Sequence, residues 1–158
     1  MKKNNPKLQT TILKPTSLRG VGLHTGENVT ISFIPAEVNT GFVFKRVDIK
    51  GEPLVEADIQ WVSDTKRGTN IEKNGVRIQT SEHVLCALVG LQIDNCIIEL
   101  NSSEPPIMDG SSHFFVKALL ASGIKEQNAV VDEYIVKKII SYRDEVSGSE
   151  ITLIPSDE

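Results

Sequence analysis

Alternating apolar and polar positions predict a β-strand early in the chain. Residues 29–34 alternate in this way, with Val29, Ile31 and Phe33 on one face. A period of two is typical of a strand that buries one face, and Pro35 ends the run because proline has no backbone N–H. Most of the chain before residue 80 has the same mixture of short apolar runs and turn residues.

Two turn signals divide further strands. Residues 39–41 (NTG) predict a turn, and residues 41–47 (GFVFKRV) predict the strand that returns from it. Residues 73–75 (KNG) predict a hairpin turn, since Asn and Gly tolerate positive φ angles. The strands on either side of that hairpin are expected at residues 69–72 and 76–78.

The apolar spacing changes to a helical period after residue 80. A first helix is expected from Thr80 or Ser81, whose hydroxyls are suited to cap free N–H groups. Its apolar face is formed by Val84, Leu85, Leu88, Val89 and Leu91, and Gly90 lies near its end. A short buried strand follows at residues 95–100. A second helix is expected from residues 109–111 to the Ser122-Gly123 pair, where Gly is a common C-terminal cap.

This order of elements predicts the fold class. Two helices that pack on one side of a mainly antiparallel sheet form a two-layer α+β sandwich. The first unit is expected to finish near residues 126–128. Residues 134–142 and 151–155 predict two further strands around a polar turn, so a hairpin opens a second unit.

Composition and charge narrow the classes of function. The chain has 158 residues, of which 39% are hydrophobic and 24% are charged, enough for an ordinary globular core. The formal charge is -4 and no Lys/Arg cluster stands out. A nucleic-acid partner is therefore not expected, because such proteins present a basic surface.

The cysteines and the hydropathy pattern indicate a cellular compartment. Cys86 and Cys96 lie in apolar stretches, which predicts buried free thiols in a reducing environment. The basic start at residues 1–6 is not followed by an apolar segment, and no apolar run approaches the roughly 18 residues of a membrane span. We expect a soluble, cytoplasmic protein.

The pair Glu82-His83 is the strongest chemical candidate. An imidazole is a common zinc ligand, and a neighbouring carboxylate is suited to accept a proton from an activated water. A structural interpretation is also open at this point. Glu in a first helical turn complements the helix dipole, and a single His is often a surface residue.

Two other segments have a structural interpretation on their own. Residues 20–26 (GVGLHTG) lack the glycine spacing of a dinucleotide loop, so they predict a tight turn with His24 exposed at its tip. Asp109 is expected to cap a helix or support a turn. His113 stands next to two phenylalanines, where packing or exposure explains it.

Four segments together carry a family resemblance. They are residues 20–26 (GVGLHTG), 39–41 (NTG), 80–95 (TSEHVLCALVGLQIDN) and 105–112 (PPIMDGSS). In this order and spacing, they make roughly residues 8–158 similar to the UDP-3-O-acyl-N-acetylglucosamine deacetylases, the zinc enzymes of the committed step of lipid A synthesis. The resemblance implies two similar α+β domains with the active site between them.

The resemblance also implies roles for individual residues. Glu82 matches the general base of the family, and His83 matches its first zinc ligand. Leu23 and His24 match residues of the substrate cleft. Asp109 and Gly110 match a structural loop.

Much of the expected site is not matched by this chain. The other two zinc ligands of the family, a His and an Asp, and a second catalytic His lie in its C-terminal domain. Residues 1–127 are therefore expected to form the N-terminal deacetylase domain, and 128–158 the opening hairpin of a truncated second domain. On its own the chain is expected to fold, to be inactive, and to self-associate through the exposed apolar residues of that hairpin.

Partners and one alternative follow from the same resemblance. The implied substrate is a UDP-linked acylated amino sugar, and some relatives continue into a fused acyl-carrier-protein dehydratase domain. Residues 66–68 (KRG) depart from the family, where apolar residues and a cysteine are common. The alternative is a non-catalytic binding or scaffold domain that has kept the fold.

Overall fold

The computed structural model describes residues 6–156, so the basic start at residues 1–5 lies outside the described residues. The elements in chain order are β1 (Leu8–Ile12), β2 (Thr16–Val21), β3 (Asn28–Pro35), β4 (Phe42–Arg46), β5 (Leu54–Glu56), β6 (Val62–Asp64), β7 (Asn70–Lys73), β8 (Val76–Ile78), α1 (Glu82–Gly90), β9 (Cys96–Leu100), α2 (His113–Ser122), β10 (Ile124–Val130), β11 (Ile140–Arg143) and β12 (Glu150–Leu153).

The largest sheet has five strands in the order β2-β3-β9-β4-β5. All neighbouring strands are antiparallel except β4 and β9, which are parallel. β6, β7 and β8 form a smaller antiparallel sheet, and β1 pairs with β10. The mainly antiparallel α+β prediction is confirmed.

The helices and the large sheet share one apolar core. The predicted face of β3 is buried, with Ile31 and Phe33 fully inaccessible to solvent. α1 contributes Leu88 to this core and α2 contributes Phe115 and Leu119. The rings of Phe33 and Phe115 meet edge to face, with centroids 6.3 Å apart, so the second helix packs directly on the sheet.

The turn chemistry predicted from the sequence is confirmed in the small sheet. β7 and β8 pair from Ile71 with Ile78 to Lys73 with Val76. Asn74 and Gly75 between them both have positive φ angles, 52° and 77°. Two such residues in succession form the turn that matches the twist of a hairpin.

α1 begins where predicted, directly after Ser81, but its capping and the start of α2 differ from the predictions. Ser81 precedes α1, but its hydroxyl donates to the carbonyl of Thr69 instead of capping the helix. The second helix begins at His113 and not at residues 109–111. Asp109 Oδ1 accepts hydrogen bonds from the backbone N–H and the hydroxyl of Ser111. These local bonds hold the segment in a turn outside the helix.

The prediction for the terminal hairpin is correct in its pairing and wrong in the length of its first strand. β11 contains only residues 140–143, which pair with Glu150 to Leu153. Extending β11 toward residue 134 would require partners beyond Leu153, where Pro155 has no N–H to donate. Tyr134, Ile135 and Ile151 are exposed. The expected self-association through these residues stays a prediction.

A neutral polar cluster joins β1 and β10 to the rest of the domain. Asn95 Nδ2 donates to Gln9 Oε1 at 2.9 Å and to Gln127 Oε1 at 2.8 Å. Asn95 Oδ1 accepts from the N–H of Gly41 at 2.8 Å. We refer to Gln9, Asn95 and Gln127 as the amide cluster. β10 runs across residue 127, and the predicted domain boundary there stays a prediction.

The described residues contain no helix with the length and apolar character needed to cross a bilayer.

Candidate active site

The first turn of α1 is held against the segment that leads into β7. The backbone N–H of Ser81 donates to the carbonyl of Thr69 at 3.0 Å. In return, the N–H of Thr69 donates to Glu82 Oε2 at 2.8 Å. The Glu82 carboxylate is half-buried, so this bond fixes one of its oxygens while the group still has access to solvent.

Gly68 lies close to the second oxygen of Glu82. A Cβ at residue 68 would be 3.3 Å from Glu82 Oε1, and Gly68 has a φ angle of 156°. A side chain there would crowd the carboxylate and strain the backbone. The departure of residues 66–68 from the family pattern therefore lies directly against the strongest catalytic candidate. His83, the next residue of α1, is also half-buried.

The turn between β2 and β3 presents the second group of candidates. Leu23 and His24 are both exposed, and the exposure of His24 confirms its predicted place at the tip of a tight turn. The N–H of Gly22 donates to the carbonyl of Glu27, and the N–H of Gly26 donates to that of Gly22. These bonds close the loop and direct its tip outward.

A cationic cleft lies beside these two segments. Its volume is about 140 Å³, and it is lined by His24, Asp64, Lys66, Arg67, Asn70, Arg77 and Gln79. Three cationic side chains face a single carboxylate there. Arg77 approaches Asp64 only at 3.6 Å, and its Nε is buried without a hydrogen-bond partner among residues 6–156. The cleft is therefore suited to an anionic ligand.

Glu104 connects the two segments, and the sequence interpretation missed it. Its side chain is fully buried. It accepts hydrogen bonds from the backbones of His24 and Thr25, the hydroxyl of Thr25, and the hydroxyl of Thr80. We refer to these four residues as the carboxylate cluster. It brings the loop that bears His24 to the residue two positions before Glu82.

The charge of Glu104 is maintained by hydrogen bonds. Burial acts to raise the pKa of its carboxyl, but the N–H groups of Thr25 and His24 and the two threonine hydroxyls lower it more, so the pKa lies below its ordinary value. The only signal in the sequence was a Glu in a loop between Ser103 and Pro105, and solvent exposure is the ordinary expectation for such a residue.

The other candidates lie away from the cleft. Asp109 and Gly110 form part of the turn before α2, and the hydrogen bonds from Ser111 lower the pKa of the Asp109 carboxyl. Met108 and Gly110 both have positive φ angles. His113 is exposed on α2 and its ring meets Phe114 edge to face at 5.6 Å. The three candidates Asp109, Gly110 and His113 do not line the cationic cleft.

Metal-binding groups do not converge within the described part of the chain. Among residues 6–156, no three His, Cys, Asp or Glu side chains form an arrangement that could hold a metal ion. Cys96 is buried, and burial raises the pKa of its thiol to about 12, which keeps it protonated and a poor ligand. Cys86 is exposed, so the prediction that both thiols are buried was wrong for this residue.

The comparisons with known proteins show the family of the chain. A family model described as LpxC, UDP-3-O-acyl N-acetylglycosamine deacetylase, matches residues 9–158. The chain belongs to this deacetylase family. Its relatives include a protein of Bacteroides thetaiotaomicron named bifunctional enzyme LpxC/FabZ, which is 44% identical over 94% of this chain and 32% of its own length.

Two shorter relatives carry the family name alone. A UDP-3-O-acyl-N-acetylglucosamine deacetylase of Psychrobacter is 47% identical over 77% of this chain and 41% of its own length. Another, of Idiomarina loihiensis, is 43% identical over 94% of this chain and 48% of its own length. The chain therefore spans about a third to a half of the length of the curated relatives that it matches.

Proposed function

We propose that the full-length polypeptide containing this chain hydrolyses the N-acetyl group of UDP-3-O-acyl-N-acetylglucosamine, the committed step of lipid A synthesis. Membership of the deacetylase family is the observation that carries the proposal. The cationic cleft that His24 lines supports it, because a UDP-linked sugar carries a negatively charged diphosphate that Lys and Arg side chains bind well.

Glu82 is proposed as the general base. The hydrogen bond from Thr69 orients its carboxylate, and its partial exposure lets a water molecule reach it. In the reaction, Glu82 accepts a proton from the water that attacks the acetamide carbonyl. A positioned base of this kind typically accelerates a reaction by about 10²–10⁴-fold. His24 and Leu23 are proposed to line the same substrate cleft from the β2–β3 turn.

His83 is proposed as a zinc ligand. Its half-buried imidazole, adjacent to Glu82, suits that role, but a catalytic zinc site normally has three protein ligands. The described residues do not supply the other two ligands. We propose that these two ligands lie in a region of the full-length polypeptide that corresponds to the part of the relatives not covered by this chain. When bound, zinc would polarise the acetamide carbonyl and acidify the attacking water.

Two further proposals concern context. The free thiols Cys86 and Cys96 support a reducing, cytoplasmic location. The bifunctional LpxC/FabZ names of relatives from Bacteroides thetaiotaomicron and Chlorobaculum tepidum support a fused dehydratase domain in the full-length polypeptide.

The role of Glu82 is tested by replacing it with Ala in the full-length polypeptide. Turnover of the UDP-sugar should fall by about 10²-fold or more, because the base that accepts the proton is lost. Zinc content should stay unchanged, since Glu82 is not proposed as a ligand. Glu72→Ala is the matched control, because Glu72 is an exposed carboxylate on β7. Near-wild-type turnover in Glu82→Ala would show that Glu82 is not the base, whereas a wild-type polypeptide without turnover would support the non-catalytic binding domain.

The role of His83 is tested by metal analysis of the same protein. His83→Ala should lower both the bound zinc and the turnover, because it removes a proposed ligand. His113→Ala is the control, since His113 is exposed on the other helix. Equal zinc content in the two variants would make His83 an ordinary surface histidine.

A further inference from the structure

We propose that Glu104 is a positioning residue that couples the His24 loop to the start of α1, and so fixes the position of His24 relative to Glu82. The inference rests on the proposed function for its catalytic consequence, while the coupling itself rests on geometry. Glu104 belongs to neither segment that it joins. It lies in the loop after β9, 80 residues from His24 and 24 residues from Thr80.

The two oxygens of Glu104 divide their contacts between the segments. Oε2 accepts from the N–H of His24 at 2.9 Å, the N–H of Thr25 at 3.0 Å and the hydroxyl of Thr25 at 3.2 Å. Oε1 accepts from the hydroxyl of Thr80 at 3.1 Å and, more weakly, from the N–H of His24 at 3.2 Å. A rotation of the carboxylate that improves one set of bonds disturbs the other.

The carboxylate is held by neutral donors alone. No Lys or Arg lies within ion-pair distance of Glu104 among the described residues. A fully buried charge requires hydrogen bonds to replace its lost hydration, so every donor of the carboxylate cluster contributes to keeping it buried. The positions of the His24 loop and of Thr80 are linked through that shared requirement.

Both segments are shaped to fit this contact. Thr80 has a φ angle of 51°, which is unusual for a β-branched residue and requires support from its surroundings. That support comes from Glu104 and from Asn70 Oδ1, which accepts the N–H of Thr80 at 3.1 Å. On the other side, a Cβ at Gly22 would lie only 2.7 Å from Glu104 Oε2, so the glycine lets the carboxylate approach the loop.

Thr80→Val is the most selective test of the coupling. The two side chains have the same shape, and the change removes the hydroxyl that donates to Oε1 while leaving the His24 loop itself intact. In the full-length polypeptide, hydrogen exchange at the His24 and Thr25 amides should accelerate by about 5-fold or more, because their shared acceptor is less constrained. Glu99→Ala is the control: Glu99 pairs with Lys45 elsewhere on the sheet, and its loss should leave this exchange unchanged.

A double-mutant cycle tests whether the coupling serves catalysis. The effect of combining Thr80→Val with His24→Ala on kcat/KM should differ from the product of the two separate effects. We call this ratio the interaction factor and expect it to be about 3-fold or more. The factor should fall to about 1 when the cycle is repeated in Glu104→Ala, which removes every contact between Glu104 and the two segments. It should persist at least in part in Glu104→Gln, because Gln keeps the side-chain shape, can accept from the loop through its oxygen and can donate to Thr80 through its amide nitrogen. A merely structural role would change folding without changing the interaction factor.

The outcomes separate this inference from the proposed function. Unchanged amide exchange in Thr80→Val overturns the coupling, whether or not the enzyme is active. Changed exchange with an additive cycle overturns its role in catalysis. A full-length polypeptide with no deacetylase activity contradicts the proposed function, and the exchange measurement then still decides whether Glu104 links the two segments.

Discussion

The amide cluster and the carboxylate cluster are both buried polar groups, but they differ in charge and in what they join. In the amide cluster, Asn95 both donates and accepts, so neutral groups satisfy one another between β1, β10 and the turn before β4. In the carboxylate cluster, Glu104 only accepts, and every partner only donates to it. The amide cluster contains no group that titrates, whereas the carboxylate cluster contains a charged group whose protonation depends on pH.

The two clusters also differ in whether the segments that they join carry candidate site residues. The amide cluster joins strands that have no candidate site residue, so its contribution is to hold the fold together. The carboxylate cluster joins two segments that carry His24 and Glu82. A buried carboxylate is a costly way to join loops, since it must be compensated by several donors. Its position between the candidate site segments supports a functional reason for keeping it.

The largest expected effect on stability comes from Asn95→Ala. The change removes three hydrogen bonds at once and leaves the N–H of Gly41 and the oxygens of Gln9 and Gln127 without that partner. Buried groups left unsatisfied cost about 1–3 kcal/mol each and are not additive, so we expect a loss of about 3 kcal/mol in the free energy of unfolding. Urea titration of the chain at neutral pH measures it.

Gln60→Ala is the control for this prediction. Gln60 is exposed in the short 3₁₀ turn before β6, so its replacement should change the free energy of unfolding by less than about 0.5 kcal/mol. If Asn95→Ala were as mild as Gln60→Ala, the amide cluster would not be what holds β1 and β10 to the sheet.

Glu104→Gln should have a smaller effect that depends on pH. Hydrogen bonds to a charged group are stronger than neutral ones, so we expect a loss of about 2 kcal/mol at pH 7. The folded-state pKa of Glu104 is lowered below the ordinary value of 4.5, so the unfolded chain takes up a proton first as the pH falls. The wild-type advantage is thus present above about pH 4.5 and is lost as the pH falls through the folded pKa.

The same urea titrations at pH 7 and pH 3.5 compare the two clusters. The difference between wild type and Glu104→Gln should shrink at the lower pH, whereas the loss in Asn95→Ala should stay the same because no group in that cluster titrates. An equal pH dependence in both variants would mean that the charge of Glu104 does not distinguish the clusters. Glu72→Gln, at an exposed position, controls for the general loss of carboxylate charge.

Local patterns explain which elements were predictable. The alternation in β3 and the Asn74-Gly75 turn depend on neighbouring residues, and both were predicted correctly. β10 was missed because its residues are mostly polar and exposed. It is held by pairing with β1 and by the Gln127 amide, which donates to the carbonyl of Ala36 at 2.8 Å. Those contacts join residues about 90–120 positions apart, and no local period records them.

The candidate site was predictable only in part. Glu82 and His83 are adjacent in the chain, and their family motif identified them as candidates. Glu104 could not be identified from the sequence, because its burial depends on donors from two distant segments. The cationic cleft could not be predicted from the sequence either, since Arg77 comes close to Lys66 and Arg67 only after β6, β7 and β8 fold into a sheet.

The smallest expected effects come from removing one hydroxyl from each region with the same substitution, Thr to Val. Thr11 Oγ1 donates to the carbonyl of Asn95 at 2.7 Å and accepts the N–H of Ala36 at 3.0 Å, and both bonds are buried. Thr11→Val removes one hydrogen-bond partner from each of these two backbone groups, so we expect a loss of about 1.5 kcal/mol in the free energy of unfolding. Thr25 Oγ1 makes a longer bond to Glu104, at 3.2 Å, and Thr25 is half-buried. Because Glu104 keeps its backbone donors, Thr25→Val should cost only about 0.5 kcal/mol. Urea titration of both variants at pH 7 gives the comparison, and a larger loss in Thr25→Val would reverse it, making the carboxylate cluster the main support of the fold.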